Sequence, residues 1–350
     1  MHLRLIVPEL FWSHESPIPA HADLAARGIE TLVARGRKRV RAVGSLEAWL
    51  LDAFGIPTVD VLPVAPFALL GDGVPHEERH WIRVDPVHLR VGRDDFTLLD
   101  ATTMPLEVAE AAALTGALNE HFREQAMRFI APAAGRWYMT GPTPITASTA
   151  TLDQVRGRSV DALRPTGPGA LPLQAFMNEV QMLLHDHPVN ETRERRGLPL
   201  INSVWPWGAG QPHEIVAPAV VTIYTDDPLA LGLARTAAIA AHPVPVGIES
   251  ILHAPFARGV TWVVLDRLRS ASAYRDLDAW RAGLAELEAR WFAPALEALR
   301  SRRLGMITIH AIGASSALAV ETTGGDLRYF WRRRKNLAAY INGPASTVSP

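Results

Sequence analysis

Short, mainly apolar runs alternate with longer amphipathic segments at both ends of the chain, and this alternation restricts the folds open to it. Near the N-terminus, "LRLIV" (3–7) precedes a segment with apolar residues at helical spacing (21–37). Near the C-terminus, apolar runs at 260–266, 304–310 and 316–322 surround a long amphipathic segment (274–302) in which Pro294 predicts a break. This order is typical of helices packed on a mostly parallel sheet. Both ends are therefore predicted to build one α/β core.

The middle of the chain has a different periodicity. Residues 80–100 alternate as a hairpin would, 106–122 and 171–187 have helical spacing, and "MRFIA" and "RWYMT" are typical of strands. The predicted organisation is a discontinuous core, 1–78 and 213–350, with an inserted α+β cap domain at 79–212.

The composition limits the partners and the chemistry. The 350 residues carry a formal net charge of -1, so no overall field recruits nucleic acid or an anionic membrane. Cysteine is absent, which excludes disulfides, thiolate nucleophiles and cysteine-based zinc sites. The N-terminal apolar run is too short for a signal peptide, and no stretch approaches the roughly 18 apolar residues of a membrane span. We expect a cytoplasmic protein with no membrane partner.

Two basic runs stand out, "RGRKRVR" (35–41) and "WRRRK" (331–335). Clustered arginines can neutralise the phosphates of a nucleic acid or of a smaller ligand. In a chain without a net positive charge, a solvated helix face is the preferred interpretation, and a nucleic-acid partner is disfavoured.

Between 183 and 210 the chain reads "LLHDHPVNETRERRGLPLINSVWPWGAG". His185 and His187 could share a metal on a strand, but they end a helical pattern before Pro188, and a helix terminus is preferred. Residues Asn190 and Arg193 would share a face of a new helix and present an amide with a guanidinium, a combination suited to an anion. An ordinary helix cap is the alternative for the asparagine.

The same stretch ends in two tryptophans, Trp205 and Trp207, around a proline. A core position is preferred to ligand stacking, because large aromatic side chains mostly supply buried area. The glycines that follow lack the Gly-Lys-Ser/Thr continuation of a phosphate-binding P-loop.

The motifs "RVDPVHL", "RWYM", "VRGRSVDALRPTG" and "HPVNETR…NSVWPWGAG" resemble the insertion domain of the archaeal-type, cofactor-independent phosphoglycerate mutases, members of the alkaline phosphatase superfamily. The resemblance covers roughly residues 80–212. In length and N-terminal brevity the chain is more similar to the bacterial RpfE-type regulatory proteins. The resemblance implies an alkaline-phosphatase-like, discontinuous α/β sandwich core with an inserted α+β cap domain.

The resemblance also implies a ligand site in the cap. In the mutases, cap arginines hold the carboxylate and phosphate of the sugar acid. The positions of this sequence that match, or fall beside, that site are Asp85, His88, Arg136, Asn190, Arg193 and Trp205. Their alternative role is to hold the cap together.

The metal site of the family is broken in this sequence. The mutases bind two divalent metals through Asp and His side chains that follow several strands. Here Pro8-Glu9 stands where the family has Asp-Gly, Asp266 is kept without its partner histidine, and His310 is kept without its preceding aspartate. No Ser or Thr in the first seventy residues has the context of the family's nucleophile. Residual metal candidates are Glu9, Asp266 and His310.

We therefore expect a catalytically degenerate protein without a cofactor. It would recognise an anionic metabolite, phosphorylated or carboxylated, between core and cap, or a protein partner. The alternative is an active, metal-dependent phosphoglycerate mutase or phosphatase that uses manganese or zinc at a rearranged site.

Overall fold

The computed structural model describes residues 1–15, 20–21, 23–58, 61–77, 79–92, 96–253 and 259–341. The strands are β1 His2–Pro8, β2 Arg37–Arg41, β3 Trp81–Val91, β4 Phe96–Asp100, β5 Arg128–Ala133, β6 Arg136–Thr140, β7 Ser203–Gly210, β8 Thr222–Tyr224, β9 Ala240–His242, β10 Val260–Val264, β11 Met306–Ile312 and β12 Ala317–Thr323. The α-helices are α1 Arg27–Arg35, α2 Leu46–Ala53, α3 Val64–Gly71, α4 Val108–His121, α5 Leu152–Val155, α6 Ala170–His185, α7 Pro188–Arg195, α8 Pro228–Thr236, α9 Ile248–Leu252, α10 Arg269–Ala273, α11 Leu277–Leu287, α12 Ala293–Arg300 and α13 Ala338–Ile341.

The chain divides into two compact units. Unit 1 comprises Met1–Leu50, Ala217–Asp227 and Ala238–Pro350, and unit 2 comprises Leu51–Val216 and Pro228–Ala237. Unit 1 is therefore built from both ends of the chain. The domain limits expected from the sequence, at 78/79 and 212/213, stay a prediction.

Unit 1 is organised around a seven-stranded sheet with the order β2-β12-β11-β1-β10-β8-β9. The five strands from β11 to β9 are parallel, and β12 and β2 extend that sheet as antiparallel strands. One face of β1 presents Leu3, Leu5 and Val7, which pack with apolar side chains of α1, α11 and α12 in a buried core. The opposite face carries His2 and Arg4, so this strand is buried on one side more fully than on the other.

Unit 2 contains an antiparallel sheet in which β3 is the central strand. It pairs with β4 along one half and with β6 and β7 along the other. Helices α3 and α8 cross at very close range. A Cβ atom added at Gly71 would lie 1.8 Å from the carbonyl oxygen of Pro228, and one added at Gly232 would lie 1.7 Å from that of Phe67. Glycine is thus required at this crossing.

Most predicted elements are confirmed. The antiparallel pair at 80–100 forms β3 and β4, although the turn expected at 92–95 lies mostly outside the described residues. The predicted break near Pro294 is a π-helical turn, Glu288–Phe292, which precedes α12. A proline lacks the N–H that would continue the α-helical bonding, and this accounts for the change of winding.

The basic run at 35–41 corrects a prediction. It was expected on a solvated helix face, but residues 37–41 form β2, an exposed strand at the edge of the sheet. The second run, 331–335, is exposed and has no regular secondary structure. Among the residues that the structure describes, every helix is too short or too polar to span a bilayer.

Candidate functional site

The six side chains assigned to an anion site by resemblance all lie in unit 2, on four different elements. Asp85 and His88 are on β3, Arg136 is on β6, Asn190 and Arg193 are on α7, and Trp205 is on β7. Their surroundings differ sharply in exposure and in the partners already present.

Asn190 joins two chain segments rather than opening a helix. Helix α7 is capped by His187, whose Nδ1 accepts from the N–H of Val189, so the helix-cap alternative for the asparagine is wrong. The Asn190 amide donates to the carbonyl oxygens of Leu184 (2.7 Å) and Ile201 (2.8 Å) and accepts from the N–H of Ile201 (2.8 Å). Both donor hydrogens of this amide are thus bound to the backbone.

Arg193 shares a helix face with Asn190, as predicted, and it is fully enclosed, with 0% of the residue exposed. Its Nε donates to the carbonyl of Pro199 at 2.8 Å, and both terminal nitrogens reach the carbonyl of Pro105 at 3.1 Å. Nη1 also pairs with the carboxylate of Glu110 at 2.8 Å. These contacts join α7 to the segments around Pro105 and Pro199 and to Glu110 within unit 2.

Asp85 lies at the centre of a buried network. Its carboxylate pairs with Arg83 at 2.8 Å and accepts from the indole of Trp207 at 2.7 Å and the N–H of Trp137 at 3.2 Å. Burial opposes the charge of Arg83, but the adjacent carboxylate outweighs it and raises the pKa of Arg83 above its ordinary value. Trp207 is buried, as the sequence predicted. The network therefore satisfies its own charges.

Arg136 belongs to a second network that sequence inspection missed. Its guanidinium forks onto Asp72, with contacts of 2.7 and 3.1 Å, and the hydroxyl of Tyr138 donates to the same carboxylate at 2.7 Å. Burial opposes the charge of Arg136, but the bonds to Asp72 raise its pKa. The Arg136 side chain keeps 39% of its surface exposed, so solvent still reaches it.

His88 and Trp205 also have internal partners. Nδ1 of His88 lies 2.9 Å from the carbonyl of Leu200, and burial lowers the pKa of His88. The indole of Trp205 is buried, which confirms the predicted core position, and donates to the carbonyl of Ala150 at 2.9 Å. Its edge also lines a cavity of about 150 Å³ into which α6 brings several amide side chains: Gln174, Asn178 and Gln181.

The residual metal candidates lie in unit 1. Glu9 follows β1 in a left-handed backbone conformation, with φ at 58°. Its carboxylate accepts from the hydroxyl of Ser272 on α10 at 2.7 Å, and its carbonyl accepts from the indole of Trp280 at 2.9 Å. Asp266 follows the neighbouring strand β10 and is exposed.

His310 stands at a different level of the sheet. It is the fifth residue of β11 and pairs with Ile6 of β1, whereas Glu9 lies three residues further along and donates its N–H to the carbonyl of Ile312. At roughly 3.3 Å per residue, the two positions are about 10 Å apart along the strands. The imidazole packs 4.9 Å from the ring of Trp49, and burial, together with nearby cationic groups, lowers the pKa of His310 to about 4.

These positions do not fit the dinuclear metal centre of the mutases. Metal ligands must approach one ion to within about 2.0–2.6 Å, but Glu9 is bound to α10 while His310 packs on α2. Within the described ranges, no three or more His, Asp or Glu side chains are grouped so that they could hold a metal.

Comparison with known proteins gives structural similarity without close sequence similarity. No family profile matches the chain, and no curated protein matches it. Solved structures similar to it include a cofactor-independent phosphoglycerate mutase from Thermoplasma acidophilum DSM 1728, 16% identical, with a TM-score of 0.42 over 93% of this chain and 90% of that one. Another is the PH0037 protein from Pyrococcus horikoshii, 14% identical, with a TM-score of 0.50 over 93% of this chain and 87% of that one.

The likeness to PH0037 shows a shared fold. Together with the strand order, it confirms the predicted α/β class with a discontinuous sheet core. The mixed α/β architecture is consistent with the alkaline-phosphatase-like fold expected from the motifs.

Proposed function

We propose that the protein is a catalytically degenerate, phosphoglycerate-mutase-like protein that binds an anionic metabolite and has a regulatory role, in the manner of the RpfE-type proteins. The observation that supports it is the separation of His310 from Glu9, the residual metal candidate at the end of β1. Glu9 and His310 lie about 10 Å apart along neighbouring strands and contact different helices. A hydroxyl nucleophile of this superfamily needs clustered metal charge to become reactive, and these residues do not supply that cluster.

The cap chemistry points the same way. Three arginines that could hold a substrate, Arg83, Arg136 and Arg193, are each paired with a carboxylate of the same unit. A guanidinium that is already paired gains less from an incoming anion, because binding must break or share the existing bonds. Turnover of a sugar phosphate is therefore less well supported than recognition of an anion elsewhere on the scaffold.

The test is metal analysis and activity on one purified sample. Plasma emission spectrometry should find no stoichiometric manganese or zinc, and assays for phosphoglycerate mutase and phosphatase with either metal added should show no turnover. Two bound ions per chain together with turnover of phosphoglycerate would establish the alternative, an active metal-dependent enzyme, and would reject the proposal.

A conservative variant sharpens the result. Glu9→Gln keeps an oxygen that can accept from Ser272 but removes the negative charge that a metal would need. We expect its metal content and activity to equal those of the wild type. A loss of metal or turnover in this variant would instead identify Glu9 as a ligand.

A further inference from the structure

The second face of the unit 1 sheet is polar and cationic. Side chains alternate along a strand, so residues paired across neighbouring strands share a face. Arg4 of β1 pairs with Thr308 of β11, which pairs with Glu321 of β12, which pairs with Arg37 of β2. The next row of this face contains Ile6, His310, Ala319 and Arg39. The basic run at 35–41 thus projects alternate arginines onto one side of the sheet.

A cavity of about 160 Å³ opens on these two rows. Its lining consists of Arg4, Arg37, Arg39, Thr308, His310, Ala319 and Glu321. The small side chain of Ala319 stands between Arg39 and His310, so the cavity has a floor of one methyl group and donors on both sides. Neighbouring strands are about 4.8 Å apart, which places Arg39 and His310 roughly 10 Å from each other. That space would accommodate about five waters.

Several polar groups around this cavity lack partners. The Nε2 of His310 and the Nε of Arg4 are buried and have no hydrogen-bond partner. Within the described part of the chain, the guanidinium groups of Arg37 and Arg39 form no hydrogen bond or ion pair with another side chain. Three arginines face one carboxylate, that of Glu321, so the lining carries an excess of positive charge. A buried donor without a partner is unfavourable, so the Nε of Arg4 favours an acceptor bound in this cavity.

We propose that this cavity binds the phosphate group of a small metabolite, seated above Ala319 between Arg39 and His310. A phosphate has three or more acceptor oxygens in diverging directions, whereas a carboxylate has two in one plane. Donors on opposite sides of the cavity, with Arg4 and Arg37 in the adjacent row, match the first geometry better. The inference rests on the proposed function in that the protein binds an anion. It adds that the bound group is a phosphate and that the site lies between Arg39 and His310.

The test is isothermal titration calorimetry with inorganic phosphate, with 3-phosphoglycerate as a phosphomonoester, and with acetate as a carboxylate, at matched ionic strength. Phosphate and the monoester should bind, and acetate should bind more weakly. Ala319→Leu fills the space above residue 319 without changing any charge, and Arg39→Gln replaces a guanidinium on an exposed strand with a neutral amide. Each should weaken phosphate binding at least tenfold, the loss expected for about 1.4 kcal/mol.

A matched control lies on the same strand. Lys38 alternates with Arg37 and Arg39, so it faces the other side of the sheet, where its ammonium lies 5.6 Å from the ring of Tyr340. Lys38→Gln removes one positive charge from β2, as Arg39→Gln does, and should leave phosphate affinity within twofold of the wild type. If Lys38→Gln and Arg39→Gln weaken phosphate binding equally, the effect is one of overall charge, and a phosphate site between Arg39 and His310 is contradicted.

The outcomes separate this inference from the proposed function. The phosphate site is rejected if the wild type does not bind phosphate, or if Ala319→Leu and Arg39→Gln both keep wild-type affinity. This holds even if the protein binds no metal. If the protein binds metal and turns over phosphoglycerate, while the two variants still lose phosphate affinity, the proposed function is rejected and the phosphate site is supported. Circular dichroism checks folding, and if Ala319→Leu does not fold, Arg39→Gln decides.

Discussion

Whether Arg193 serves architecture or ligand binding can be decided by removing its guanidinium. The substitution Arg193→Leu keeps most of the side-chain volume and deletes every donor. In the wild type these donors serve the carboxylate of Glu110 and the carbonyl oxygens of Pro105 and Pro199. All of these bonds are made by a side chain that solvent does not reach.

The expected loss follows from the groups left behind. Glu110 would lose its cation with only 13% of its side chain exposed, and two carbonyl oxygens would lose a donor. Breaking a buried ion pair by removing one partner costs about 3–5 kcal/mol, and each unsatisfied polar group about 1–3 kcal/mol. Some of this is regained when water or a neighbour relaxes, so we expect the free energy of unfolding to fall by about 4 kcal/mol. That is a large share of a typical domain stability of roughly 5–15 kcal/mol.

Urea unfolding followed by circular dichroism measures this change. Arg193→Leu should lower the midpoint with the slope unchanged, because the same surface is exposed on unfolding. Arg195→Leu, two residues along the same helix, is the control. Arg195 is exposed, and within the described residues its hydrogen bonds stay in its own helix, at Glu191 and Thr192, so its loss should stay within about 0.5 kcal/mol. A wild-type midpoint in Arg193→Leu, with a loss of anion affinity, would refute the architectural role.

Two further outcomes are expected. Gly232→Ala should destabilise unit 2 by about 1–3 kcal/mol in the same urea assay, because its Cβ would meet the backbone of Phe67. In the control Gly116→Ala, the new Cβ meets nothing within 4 Å at an exposed helix position, and this variant should be more stable by about 0.5–1 kcal/mol. Equal effects of the two substitutions would contradict the close helix crossing. His21 and His310 have folded-state pKa values of about 4 because burial disfavours the imidazolium, so protons bind preferentially to the unfolded chain, and stability present above pH 6.5 is lost as the pH falls towards 4. Each of the two histidines should lower the free energy of unfolding by about 2 kcal/mol between about pH 7 and pH 5. His310→Gln should remove the contribution of His310 to this pH dependence. An unchanged pH dependence in His310→Gln would show that His310 is not neutral and buried.

The elements that could be predicted from the sequence are those whose signal is local. The helix that begins after His187 and the strand pair at 80–100 follow from spacing within a single segment, and both are confirmed. The strand at 37–41 was missed because five residues rich in arginine have no apolar period. Its pairing partner, β12, lies some 280 residues away in the chain.

The candidate sites show the same division. Motifs marked Arg136 and Asp85, but their partners were not visible, since nothing in the sequence links Arg136 to Asp72 across 64 positions or Asp85 to Trp207 across 122. The cationic cavity was equally hidden, because its residues come from four strands that only the sheet order brings together. Residue types were predictable, whereas the pairing that decides their role was not.

That pairing separates the arginines of this chain into two classes with opposite consequences. Arg83 and Arg193 are buried with carboxylates in place, so their charges are already compensated and removing one partner harms the fold. Arg4, Arg37 and Arg39 line a cavity that contains one carboxylate, that of Glu321, and a His310 Nε2 atom without a hydrogen-bond partner, so their charges are incompletely compensated. A chain whose total charge is -1 has no shortage of carboxylates, so leaving this face short of them is a local property and not a consequence of composition. Added phosphate should therefore raise the melting temperature of the wild type in proportion to the logarithm of its concentration once the site is saturated, whereas chloride at equal ionic strength should not.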